Sequence, residues 1–307
     1  MTKVFIDGSA GTTGLRIRER LETRSGIALI TLPEELRKDP DARRDALNSA
    51  DISFLCLPDA AAVEAVSLVT SPDAVIIDTS TAHRTAEGWA YGMPELTGLR
   101  QQIASAKRIA NPGCHASGFI ALAAPLVSAG LLSPDARLSC FSPTGYSGGG
   151  KKMIADYEVP DRSPLLAAPR QYGLTQVHKH LPEMAKVCGL KHAPVFCPIV
   201  APYYAGMEVT VPLASAELSA SPDQLRELYR DYYSSGMIAF RDAADENGFL
   251  SASAFAGRDS MEISVYGNED RILLVSRFDN LGKGASGAAI QNMNIVLGLP
   301  EDTGLVR

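Results

Sequence analysis

The sequence predicts a two-domain α/β protein, with a parallel sheet wound by helices followed by an α+β region built on a mixed, largely antiparallel sheet. Three observations carry this. Apolar strand-like runs alternate with helical segments as far as residue 113, which is the pattern of a parallel sheet with right-handed crossovers. Beyond residue 114 the strand-like segments alternate apolar and polar residues and are separated by turn residues, which favours antiparallel pairing. The chain has 307 residues, enough for two cores.

"KVFIDG" (3–8) is a buried parallel strand ending in Asp-Gly, and "TGLRIRERLETRSG" (13–26) a helix stopped at Gly26. "IALITL" (27–32), "DISFLCLPD" (51–59), "AVIIDTS" (74–80) and "RIANPG" (108–113) are further strands. "DARRDALNSA" (41–50) and "AAAVEAVSLVTS" (60–71) read as helices between them. "HASGFIALAAPLVSAGLL" from residue 115 can be helical. The stretches 137–150, 193–214, 260–268 and 270–280 are strand-like. "SPDQLRELYRDYYSS" (221–235) is a helix capped by Ser221 with Pro222 at its first position. The segment 284–298 is helical again.

Composition excludes several classes. A net charge of −6 gives no reason for a nucleic-acid or anionic-membrane partner. No apolar run has the length of a spanning helix. The opening residues enter a strand pattern directly, without the layout of a secretory leader. Five cysteines (Cys56, Cys114, Cys140, Cys188 and Cys197) are scattered and form no CxxC pair. A disulfide framework is therefore not expected, nor a cysteine-rich metal site, and a reducing cytoplasm is.

Gly8, Gly11 and Gly14 are spaced G-x-x-G-x-x-G between the first strand and the first helix. Glycines there let the backbone approach a pyrophosphate at a helix N-terminus. The spacing departs from the common G-x-G-x-x-G dinucleotide fingerprint. After the second strand stand Glu34 and Glu35, which suit a ribose 2′-hydroxyl, and Arg37 and Lys38, which suit a 2′-phosphate. Spacing leaves NAD and NADP both open.

Cys114, in "ANPGCHASGF", stands where a tight turn feeds a helix. That setting favours a thiolate nucleophile, although a packed thiol fits the position as well. A nucleophile needs a base, and "QVHKHLPEM" (176–184) supplies His178 and His180, with Glu183 placed to orient an imidazole. In an extended segment the two histidines point to opposite sides, so one of them would face Cys114. The cluster lacks a third ligand, and no metal is expected. "DTSTAHR" (78–84) lies at the carboxyl end of a strand, where ligands bind in such sheets. "TGYSGGGKKM" (144–153) is not a Walker loop but can hold a phosphate through backbone N–H groups and Lys151 and Lys152, or be a plain surface loop. "DNLGKGASGAAIQNMN" (279–294) puts Lys283 before the final helix.

Taken in order, "GSAGTTG", "DTSTAHR", "NPGCHASG", "TGYSGGGKK", "HKHLPEM", "GMEVTVPL" and "DNLGKGASGAAIQNMN" resemble the N-acetyl-gamma-glutamyl-phosphate reductases of arginine biosynthesis, in their short, second type. The resemblance implies a Rossmann-type NADP-binding domain (1–113 plus 284–307) and an aspartate-semialdehyde-dehydrogenase-like catalytic and oligomerisation domain (114–283), with the C-terminal helix returning to the first. It implies NADPH-dependent reduction of N-acetyl-L-glutamyl 5-phosphate to the 5-semialdehyde through a Cys114 thioester. His180 matches the acid/base and His178 remains an alternative, with Glu183 behind them. Cofactor contacts are expected at Gly8, Ser9, Ala10, Gly11, Thr12, Thr13, Gly14, Arg37, Cys56, Leu57, Pro58, Ser80, Ser117, Gly118, Asn280, Lys283 and Gly284. Substrate contacts are expected at Asn111, Ser147, Gly148, Arg170 and Tyr172. A small-molecule substrate and a homodimer or homotetramer follow, with no nucleic-acid or membrane partner. Another acyl-phosphate reductase, a thiol hydrolase and a nucleotide-sensing protein are the rival readings.

Overall fold

The computed structural model describes residues 1–307. The chain opens with β1 (Thr2–Asp7), α1 (Thr12–Glu22), β2 (Ile27–Ile30), α2 (Pro40–Ser49), β3 (Ile52–Leu55), α3 (Asp59–Ser67), β4 (Val75–Asp78), β5 (Ala90–Tyr91), α4 (Leu99–Ser105) and β6 (Arg108–Ala110). It continues through α5 (Cys114–Ser128), β7 (Ser139–Gly145), α6 (Gly150–Glu158), β8 (Arg170–Gln171), α7 (Leu181–Cys188), β9 (Val195–Ala201) and β10 (Met207–Ala214). It ends with α8 (Pro222–Tyr232), β11 (Ile238–Phe240), β12 (Met261–Gly267), β13 (Arg271–Phe278) and α9 (Gly287–Val296). Two compact units form: Met1–Pro112 with Ala285–Leu305, and Gly113–Gly284 with Val306–Arg307.

In the first unit six strands pair in the order β2-β1-β3-β4-β6-β5, all parallel. Helices bury both faces, which is why these strands read as unbroken apolar runs. One face packs Val4, Ile6, Ile52, Phe54 and Ile77 against Ile17 and Leu21 of α1 and Ile290 and Met293 of α9. The other packs Phe5, Leu55 and Ile76 against Ala46 and Leu47 of α2 and Ala62 and Ala65 of α3. Strand order turns back between β1 and β3, and the carboxyl ends of these two strands flank the crevice where open α/β sheets take ligands.

In the second unit seven strands pair in the order β11-β12-β13-β10-β7-β9-β8. The β7–β9 and β11–β12 pairs are parallel and the rest antiparallel, so the sheet is mixed. Helix α5 lies on one face, buried from His115 to Leu126. Gly118 makes that approach possible, since a Cβ there would stand 2.4 Å from Val209 Cγ2 and 2.7 Å from Ser276 Oγ. Gly118, expected at the cofactor, thus turns its Cβ direction to the sheet. Helix α8 begins with a capping box, Ser221 and Gln224 each accepting the other's backbone N–H. Its Tyr229 hydroxyl donates to the Leu122 carbonyl, and the Tyr233 hydroxyl just beyond donates to that of Ala121. Phe141, Val195 and Leu273 share the opposite sheet face and are 44, 59 and 42 % exposed.

The stretch 144–153, read as a phosphate loop or a plain surface loop, folds as the end of β7, a turn and the start of a helix. Tyr146–Gly149 is a 3₁₀ turn, and α6 follows it with Lys151 and Lys152 exposed. Stacking of Tyr146 on Tyr157 (centroids 4.6 Å apart) anchors that helix. The structure also adds β5, α4, α7 and β11.

Candidate active site

Gly113 is the N-cap of α5 and Cys114 its first residue. The Gly113 N–H donates to Glu183 Oε1 at 2.8 Å, and Glu183 is 1 % exposed. Glu183 was expected to orient an imidazole; the contact seen here fixes the turn that delivers Cys114. Cys114 itself is half-buried. By contrast, burial pushes the thiols of Cys140 and Cys188 well up, and that of Cys56 to about 12, so these three stay protonated. Gly284 abuts Cys114, since a Cβ on it would stand 2.9 Å from Cys114 Cβ.

His178 and His180 do not point apart. Residues 179 and 180 form a turn rather than an extended run, because α7 starts at Leu181 with Pro182 in its first turn, and His180 is that helix's N-cap. The His180 N–H donates to His178 Nδ1 at 3.2 Å, and the two rings stand edge to face, 4.7 Å between centroids. Both also border His115, at 5.7 Å for His180 and 5.9 Å for His178. The imidazole directly after the nucleophile thus joins the other two. His115 Nδ1 is 2.6 Å from Ser142 Oγ, and its Nε2 is 2.7 Å from the Tyr172 hydroxyl. Burial pushes the His115 imidazole down to about 3, with His178 acting the same way. Burial also raises the Tyr172 phenol, and the charge of Cys114 adds to that rise, which puts the two within electrostatic reach. Sequence reasoning missed His115 and Ser142. A histidine beside the nucleophile, preceding a run of apolar helix, was the signal for the first, and Ser142 offered none.

Other expected ligands also make contacts within the framework. Asn111 is 1 % exposed and braces the first unit, donating to the Ala285 carbonyl and accepting from Asn292. Asn280 accepts from Gly206 N–H and donates to Ser147 Oγ. Buried amides and hydroxyls must find such partners, and Gly148 lies against the same amide. The Ser117 hydroxyl donates to the Gly113 carbonyl, and that of Ser80 to Asp78. Lys283 is buried. Arg170 is exposed on β8 and donates to the Tyr157 hydroxyl.

The residues of the first unit fit a dinucleotide. Gly8 has φ of +85°, and a Cβ on it would stand 2.3 Å from the Cys56 carbonyl oxygen. Gly14 is equally tied, with 2.5 Å to the Gly8 oxygen, and Gly11 caps α1. Thr12 and Thr13 open that helix, whose first N–H groups offer an anion site. A cavity of 240 Å³ opens beside this loop, lined by Gly8, Ser9, Ala10, Leu57 and residues 29–32, with Arg18, Arg37 and Lys38 at its rim. Cys56 and Pro58 flank Leu57 without lining the cavity. Its one carboxylate, Asp7, is paired with Arg43 at 3.0 Å, and Glu34 and Glu35 stay outside. Arg18 is paired with Glu22, which leaves Arg37 and Lys38 as the cations that suit a 2′-phosphate rather than a bare ribose hydroxyl.

A parallel nucleotide-type unit, and a mixed-sheet unit bearing a helix-borne cysteine beside histidines, define a semialdehyde-dehydrogenase type of oxidoreductase. Comparison with known proteins agrees. Residues 29–106 match the family described as "Semialdehyde dehydrogenase, NAD binding domain", and residues 114–280 match "Semialdehyde dehydrogenase, dimerisation domain". Aspartate semialdehyde dehydrogenase II from Vibrio cholerae, crystallised with ASA, shares the fold: TM-score 0.72 at 15 % identity, over 97 % of this chain and 98 % of that one. The aspartate semialdehyde dehydrogenase of Francisella tularensis gives a TM-score of 0.71 at 16 % identity, over 97 % and 100 %. Much nearer in sequence is N-acetyl-gamma-glutamyl-phosphate reductase 2 of Nostoc sp., 44 % identical over 99 % of both chains. The N-acetyl-gamma-glutamyl-phosphate reductase of Brucella suis is 46 % identical over 96 % of this chain and 99 % of its own. The chain belongs to the N-acetyl-gamma-glutamyl-phosphate reductase family.

Proposed function

We propose that this protein reduces N-acetyl-L-glutamyl 5-phosphate to N-acetyl-L-glutamate 5-semialdehyde and phosphate with NADPH, a step of arginine biosynthesis, through a thioester on Cys114. The observation that carries the chemistry is Cys114 at the first position of α5, its turn held by Glu183, directly before His115, whose ring borders those of His178 and His180. The Cys114 thiolate adds to the acyl carbon and phosphate leaves, which divides a hard reduction into two easier steps. The opening N–H groups of α5 favour negative charge on the acyl oxygen. His178 Nδ1 is engaged by the His180 N–H, which supports His180 as the group that holds and returns the proton. Bound NADPH supplies the hydride, and the Gly8–Gly14 loop with Arg37 and Lys38 would hold it. Arg170, exposed on β8, is the residue proposed to meet an anionic substrate group bidentately.

The uncovered sheet face with Phe141, Val195 and Leu273 supports assembly as a homodimer or homotetramer, because apolar surface of this kind marks an interface. No helix is long and apolar enough to cross a membrane. No disulfide forms among the five cysteines, which fits the cytoplasm.

The test runs the reaction in reverse, with N-acetylglutamate semialdehyde, phosphate and either NADP or NAD, and aspartate semialdehyde as the competing substrate. The expected result is reduction of NADP with the acetylated aldehyde, lost in Cys114→Ser while NADPH binding is kept. Preference for aspartate semialdehyde, or full activity of Cys114→Ser, would refute the reading.

A further inference from the structure

We propose that His115 is a positioning residue: held between Ser142 and Tyr172, it turns the Tyr172 O–H toward the acyl oxygen of a substrate on Cys114. The inference rests on the reductase reading above and assigns a donor within that site.

His115 is 3 % exposed, with a hydroxyl at each pole of its ring, Ser142 Oγ at Nδ1 and Tyr172 OH at Nε2. The edges of Phe196 (centroids 5.2 Å apart), His178 and His180 wall the ring and fix its plane. Burial keeps the imidazole neutral at physiological pH. A neutral imidazole has one N–H and one lone pair, so the chain of three groups runs in one direction or the other.

Ser142 decides which. It is 0 % exposed, and its hydroxyl makes no hydrogen bond except with His115 Nδ1. Were Nδ1 protonated, the Ser142 proton would be buried with no acceptor, a costly arrangement. Ser142 therefore donates to Nδ1, and the His115 proton lies on Nε2. Nε2–H then donates to the Tyr172 oxygen. The Tyr172 proton has no other partner in the protein, and the phenol is half-buried beside Cys114. A phenol whose oxygen is already an acceptor, and which stays protonated, is a pre-aimed donor. Aligned donors of this kind act where negative charge develops and need no reorganisation as the reaction proceeds.

Enzyme labelled with ¹⁵N at histidine reads the tautomer directly. The expected spectrum shows His115 unprotonated at Nδ1 and protonated at Nε2, and Ser142→Ala removes that bias. Tyr172→Phe is expected to lower kcat roughly 10²-fold, in the range for loss of one such donor, with NADPH binding kept and a modest fall in melting temperature, because the buried His115 Nε2–H loses its acceptor. His115→Phe lowers kcat in the same way, and the double variant is no worse than either single. If His115→Phe does not fold, the tautomer and Tyr172→Phe still decide. An active wild type whose His115 is protonated at Nδ1, or whose Tyr172→Phe variant keeps its kcat, overturns this inference alone. A wild type inactive on the acyl phosphate and on the aldehyde overturns the reductase reading instead.

Discussion

Replacing Gly284 with alanine tests how tightly the nucleophile is held. The new methyl would stand 2.9 Å from Cys114 Cβ, 3.2 Å from the Asp279 carbonyl oxygen and 3.3 Å from Phe278 Cε2. Carbon atoms in contact normally keep ~3.5–4.0 Å, so Cys114 and residue 284 must separate by ~0.6–1 Å. None of the three neighbours is the free end of a flexible side chain. Cys114 Cβ is fixed to the first residue of α5, and Phe278 is 0 % exposed. Overpacking of this kind costs ~1–3 kcal/mol. A misplacement of about 1 Å in a reacting group costs ~10²-fold in rate. The expected result is therefore a modest fall in melting temperature and a fall in kcat of about that size, with NADPH affinity unchanged. Steady-state kinetics, calorimetry and a cofactor titration measure the three. A variant with wild-type kcat and melting temperature would refute the packing argument.

Three other outcomes follow from the geometry. Replacing Arg37 and Lys38 by alanine removes charge-assisted contacts worth about 1.5–3 kcal/mol, so KM for NADPH should rise roughly 10–100-fold while KM for NADH stays put; equal effects on both cofactors would count against a 2′-phosphate site. Glu183→Ala leaves the Gly113 N–H without its acceptor and should cost ~1–3 kcal/mol in a urea titration, whereas Glu183→Gln can still accept and should recover most of it; equal losses would contradict the assigned contact. His115 has its pKa depressed on folding from 6.5 to about 3, so between those values the unfolded chain binds a proton that the folded one does not. Its contribution is fully present above pH 6.5 and is lost as pH falls, by up to ~1.4 kcal/mol per unit; His115→Phe should flatten stability against pH over that window, and an unchanged slope would exclude a neutral buried ring.

Much of the fold was legible because burial leaves a signature in sequence. Strands β1, β3 and β4 are covered on both faces and read as unbroken apolar runs, whereas β10 is covered on one and alternates from Met207 to Leu213. Helix α6 escaped because three glycines and two lysines mask a helix that Tyr157 and Met153 anchor through tertiary packing. Helix α7 left better signs, Pro182 in its first turn and Gly189 at its end with φ of +70°. Overlooking them produced the extended reading of His178 and His180. At the site, Cys114 announced itself through its turn and helix. Asn280, Ser147 and Gly118 have framework contacts that no local signal foretold. Small and polar residues within a motif serve ligand and framework alike, and only burial tells the two apart. Ser142 was invisible because nothing local distinguishes a strand serine that faces a histidine from one that faces solvent.

The first unit is discontinuous in sequence. Its core is shut by Ile290 and Met293 of α9, and the Asn292 amide donates to the Gly92 carbonyl. During synthesis, residues 1–112 must wait, with one flank of their sheet bare, until the chain has been extended past residue 296. The segment 113–284 is made in the interval and needs only Val306 and Arg307 to be whole. The half of the molecule translated first thus has its core closed only near the end of synthesis, and a gene truncated before α9 would yield an aggregation-prone fragment rather than a smaller nucleotide-binding protein.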